Sequence, residues 1–114
     1  MDAFDDIPTL DPHAFHSVMK IGGKKRLDAL MGLLNESGPA RIREIKEATS
    51  LSEAKAAASV LKSSASNLGL ARLEDLCDQI IDAKTWSPNP ELVRQLEQSY
   101  RQGREGLQAL RDKI

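Results

Sequence analysis

Lys55, Ser59, Lys62 and Ser66 follow one another at i, i+4, i+7 and i+11, the spacing that lines one strip of an α-helix. Ser63 sits beside Ser59 and Lys62. The strip is small, hydroxylic and basic. A serine hydroxyl becomes a nucleophile only with a general base at hand. The neighbours here are lysines, which are cationic at neutral pH unless desolvated. Short polar side chains are equally what an ordinary solvated helix face carries.

Few other residues offer chemistry. His13 and His16 are the only histidines, too few for a multi-histidine metal cage, and they read as polar helix positions. The single cysteine, Cys77, excludes an internal disulfide and a Cys-rich zinc site and fits a reducing compartment. Its spacing makes it a small buried hydrophobe. Lys20, Lys24, Lys25 and Arg26 cluster around Gly22-Gly23. A phosphate cradle needs a Gly-rich loop after a strand, and no strand precedes this one. The cluster reads as solvated surface, or as a surface that meets acidic residues on a partner. Trp86 either covers one end of the fold or stands out as an exposed anchor.

Sixteen basic and seventeen acidic residues leave a net charge of −1, without the basic surplus that nucleic-acid binding needs. No apolar run approaches the ~20 residues of a membrane span. The acidic residues 1–6 read against a secretory leader. The expectation is a cytoplasmic chain, one domain over residues 1–114, with 1–9 flexible.

The elements that must position these residues are helical throughout. β-branched and aromatic residues are sparse, and no stretch alternates apolar and polar over a strand's length. Asp11-Pro12 opens a short helix, as N-cap and first helical residue. Phe15, Val18 and Met19 stripe it, and Gly22-Gly23 ends it. A second helix over about 24–48 carries Leu27, Leu30, Met31, Leu34, Ile42 and Ile45 on one face. Gly38-Pro39 falls within that stripe without shifting its phase, so one kinked helix is expected rather than two.

Ser50-Leu51-Ser52-Glu53 is a capping box opening the third helix. Its apolar face is Ala54, Ala57, Ala58, Leu61, Ala65 and Leu68, and Gly69 stops it. The fourth helix aligns Leu73, Leu76, Cys77 and Ile80. A loop containing Pro88 and Pro90 follows. The last helix, about 90–112, is striped by Leu92, Leu96, Tyr100, Leu107 and Leu110. Four long amphipathic helices with short links predict an all-α, antiparallel four-helix bundle, with the short first helix as a lid.

The stretch Ser59-Val60-Leu61-Lys62-Ser63-Ser64-Ala65-Ser66-Asn67-Leu68-Gly69-Leu70 resembles the core motif of histidine-containing phosphotransfer (HPt) domains. That motif runs His-x-Leu-Lys-Gly-Ser and, four positions on from the Ser, Leu-Gly. Leu10-Asp11-Pro12 is similar to the family's usual opening. Gly38-Pro39 falls where members often carry a proline, and Leu73, Cys77 and Ile80 resemble the family's Leu-x-x-x-Cys-x-x-Leu. The resemblance covers nearly the whole chain. It implies a four-helix bundle of HPt type, in a two-component phosphorelay that passes a phosphoryl group between receiver aspartates through one histidine.

In that alignment Ser59 stands at the phosphoacceptor histidine and Ser63 at the glycine, while Leu61, Lys62, Ser64, Leu68 and Gly69 match. Imidazole is a neutral nucleophile near pH 7 and forms a reversible phosphoramidate. A phosphoserine ester would be stable, a dead end for a relay. The resemblance therefore implies a pseudo-HPt domain, not an enzyme, that regulates signalling by binding a receiver domain or a histidine kinase. Its expected contact surface is Lys55, Ser59, Lys62, Ser63 and Ser66. No cofactor, metal, nucleic-acid or membrane partner is expected, and the chain is expected to be monomeric. Two other readings stay open: a helical interaction module outside phosphorelays, and a phosphotransferase using His13, His16 or Ser59.

Overall fold

A computed structural model describes residues 9–114. The expected flexibility of 1–9 falls almost wholly on residues outside that range. Five α-helices form: α1 (Pro12–Ile21), α2 (Gly23–Glu47), α3 (Leu51–Leu68), α4 (Ala71–Ile81) and α5 (Pro90–Asp112). There is no strand among the described residues. α2 packs against α3 and α5, and α4 packs against the same two helices. The four long helices thus close a ring through short links, and α1 lies on α2 and α3.

The helix starts follow local chemistry. Asp11 accepts a hydrogen bond from the His13 N–H at 2.9 Å, and Pro12 needs no partner for its missing N–H. Ser50 accepts from the Glu53 N–H at 3.2 Å. The return bond of the capping box comes from the Thr49 N–H, 3.0 Å from Glu53 Oε2, one residue earlier than the usual pattern. Asn89 accepts from the Leu92 N–H at 3.1 Å and Pro90 follows it. α2 begins differently, with no side-chain cap and no acid in its first turn.

α2 runs through Pro39 as one helix. Gly38, just before it, is buried against the Tyr100 ring of α5, and a Cβ there would collide with that ring. The glycine lets the two helices approach closely where the proline has removed a backbone bond. Gly69 ends α3 at φ 71°, a left-handed conformation that glycine adopts without steric cost. The Gly69 and Leu70 N–H groups close the Schellman pattern onto Ser66 and Ala65. The Asp11 N–H donates to the Gly69 carbonyl at 2.7 Å, which pins the start of α1 to the end of α3.

The core is aliphatic. Leu27, Leu34, Ile45, Leu61, Leu68, Leu73, Leu76, Ile80, Leu96 and Leu107 are almost fully buried. The stripes differ from expectation at their edges. Phe15, Met19, Leu30 and Leu92 are only half-buried. On α5 the buried row is Val93, Leu96, Ser99, Tyr100, Gly103 and Leu107. Trp86 is half-buried and donates from Nε1 to the Ala48 carbonyl at 3.1 Å, so it covers the bundle end.

Candidate functional site

The third helix divides as its sequence divides. Its inner face, Ala54, Ala57, Ala58, Leu61, Ala65 and Leu68, is buried. Four alanines leave little side-chain volume, so neighbouring helices come close and fix α3 over its whole length. The opposite side presents Ser59, Ser63 and Ser66 exposed, with Lys55 and Lys62 half-buried. All five expected contact residues therefore share the outer side of one helix. Ser59 lies near its middle.

Lys62 is not the free cation that the strip suggests. Its Nζ pairs with Asp78 Oδ1 of α4 at 2.6 Å. The hydrogen bond to Asp78 and the charge on the same carboxylate hold the ammonium's pKa above the usual lysine value, and Glu74 and Asp82 add to the effect. These three acids recur at i, i+4 and i+8 along α4 and its C-cap, which is the signal that could have disclosed them. The pair is exposed on both sides, so its contribution to stability is small. Its effect on the site is larger, because an acidic strip now borders the serine face.

On the other flank, between α2 and α3, lies a groove of about 510 Å³ bounded by Arg41, Glu44, Glu53, Ala57 and Val60. Arg41 pairs with Glu44 at 2.8 Å, and Val60 is 44% exposed. Val60 gives the face an apolar edge next to Ser59.

Catalytic chemistry finds little support at Ser59. His13 and His16 sit on α1, which meets α3 through Asp11 and Ala14 beside Gly69. Gly69 is ten residues beyond Ser59, about 15 Å along a helix. Lys62, one turn from Ser59, is held charged by Asp78 and so is no base. Cys77 is fully buried, and burial pushes its thiol up to about 12, with Asp78 and Glu74 adding to the rise. It stays a thiol at neutral pH and is inert. Among the described residues no group of three or more His, Cys, Asp or Glu side chains could hold a metal ion, and no helix is long and apolar enough to cross a membrane.

Compared with models of known families, the chain matches one described as "Hpt domain" over residues 26–112. The match runs from the first turn of α2 to the end of α5 and so takes in the whole four-helix ring. No curated protein and no solved structure gives a match.

Proposed function

This chain belongs to the Hpt domain family, and from that premise we propose a phosphorelay component that docks signalling partners without carrying a phosphoryl group. The observation that carries the reading is Ser59. It is exposed in mid-α3, above a buried scaffold of Leu61, Ala65 and Leu68, and the motif resemblance sets it against the acceptor histidine. The support for docking is intact: a rigid helix, an exposed hydroxyl strip, and the half-buried Lys55 one turn before Ser59. The support for transfer is missing, because a hydroxyl with cationic neighbours has no base to take its proton.

The partner is a receiver domain or a hybrid histidine kinase. A receiver's acidic phosphorylation pocket would seat on Lys55, Ser59, Lys62, Ser63 and Ser66, with charge attraction setting orientation. Occupying that pocket would keep a phosphorylating or phosphate-accepting partner away. The domain would span residues 1–114 and act as a monomer in the cytoplasm.

The test supplies the chain with phosphorylated receiver domains and radiolabelled phosphate. The parent is expected to bind at least one receiver saturably and to take no acid-labile label. Ser59→His combined with Ser63→Gly is expected to take up label, because the scaffold beneath is unchanged. Acid-labile label on His13 or His16 of the parent, or no binding to any receiver or kinase tested, overturns the reading.

A further inference from the structure

The corner where α1 turns into α2 joins strong positive charge to an exposed apolar side chain. Lys20, Lys24, Lys25 and Arg26 are all exposed. Ile21 stands among them at 75% exposure, the most exposed of the large hydrophobics. Residues 12–27 contain no acid. The next acid along the chain, Asp28, is taken by Arg111 at 2.8 Å. The residues that close α5 reach the same corner: Lys24 Nζ lies 3.5 Å from the Ile114 carbonyl, and Lys113 is exposed there beside Asp112, whose carboxylate accepts from Gln108.

We propose that this corner docks on an anionic lipid bilayer. The chemistry fits in two parts. Ile21 projects from a tight turn, and a planar interface accepts one projecting aliphatic side chain among its acyl chains. The surrounding ammonium and guanidinium groups then lie at the level of the headgroups, where each cation strengthens binding about fivefold. Four or five such charges beside an apolar anchor make a reversible peripheral contact. No membrane partner is expected from the sequence, but a peripheral contact needs no spanning segment.

The placement is compatible with partner binding. The start of α1 is pinned at the Gly69 end of α3, the corner lies at the far end of α1, and Ser59 is ten residues from Gly69 along α3. A bilayer under the corner leaves the middle of α3 open to a protein partner. The two readings are independent, so the failure of one leaves the other standing.

The test is co-sedimentation of the full chain with vesicles. Vesicles of phosphatidylcholine and phosphatidylglycerol are compared with phosphatidylcholine alone. Binding to the anionic vesicles only is expected, with loss as salt rises from about 0.1 M to about 0.5 M, since screening shortens the reach of the charges. Lys24→Glu with Lys25→Glu is expected to weaken binding at least tenfold, and Ile21→Ser severalfold. Lys84→Glu, on the loop at the opposite end, is expected to change nothing. Circular dichroism confirms that each variant is folded. No binding to anionic vesicles, equal binding by the double variant, or capture by polyglutamate without capture by vesicles overturns the proposal.

Discussion

Lys62 of α3 and Asp78 of α4 meet at 2.6 Å across the edge of the serine face. The cation one turn beyond Ser59 is therefore committed inside the chain. A partner with an acidic pocket must either draw Lys62 away from Asp78 or rely on Lys55. The acids Glu74 and Asp82, which reinforce the charge on Lys62, also repel such a partner from the α4 side.

Asp78→Asn separates these cases. If Lys62 contributes to docking, removing its internal partner frees its charge, and receiver affinity is expected to rise about three- to tenfold with a steeper salt dependence. Titration of a receiver against both chains measures it. Unchanged affinity would place Lys62 outside the interface. Lys62→Glu is a poorer probe, because it sets a new carboxylate beside Asp78 and changes the fold's own electrostatics together with the interface.

The close approach of α2 and α5 gives a stability prediction. Gly38→Ala should gain about 1 kcal/mol of helix propensity. It should lose more than that to the collision with the Tyr100 ring, since overpacking typically costs about 1–3 kcal/mol. Net destabilisation is expected in a urea titration. Combining it with Tyr100→Leu should recover part of the loss, and the coupling in the double-mutant cycle reads out the contact directly. Purely additive effects would mean that the ring is not what the new methyl meets.

Alkaline pH should weaken the fold through Cys77. Its ordinary pKa is 9.0, and burial raises it to about 12. Above pH 9 the unfolded chain releases the thiol proton while the folded chain keeps it. The folded state then binds more protons, so stability falls as pH rises from 9 towards 12. The slope from this one group approaches about 1.4 kcal/mol per pH unit. Lys62 acts in the same direction: its raised pKa favours folding at lower pH, and that contribution is lost as pH rises through its folded value. Denaturant unfolding of the parent and Cys77→Ala at about pH 8 and pH 10 checks this. The variant is expected to show the shallower decline.

The helices were legible because burial imposes a period. The stripe from Leu27 to Ile45 kept its phase across Gly38-Pro39, and α2 is one helix through Pro39. Both ends of α3 and the start of α5 were legible for a related reason, since Ser50, Gly69 and Pro90 each answer a local backbone need. The chemistry of the outer face was only half legible. Spacing alone placed Lys55, Ser59, Lys62, Ser63 and Ser66 on one helix. The engagement of Lys62 with Asp78 depends on how α3 packs on α4, and sixteen residues separate the two in the chain. Likewise Ser99 and Gly103 are buried on α5 although nothing in a hydrophobic stripe points to them; contact with neighbouring helices decides their place.

Trp86 is the only tryptophan in the chain, and its indole is tied to the Ala48 carbonyl, where α2 ends. The loop before α5 and the end of α2 are therefore reported by a single chromophore. Any opening of that end, whether by denaturant, by α5 lifting away or by a partner prying at the loop, releases the N–H to water and shifts the emission to longer wavelength. With no second indole to blur the signal, the intrinsic fluorescence of this protein is an optical gauge of whether its bundle is closed.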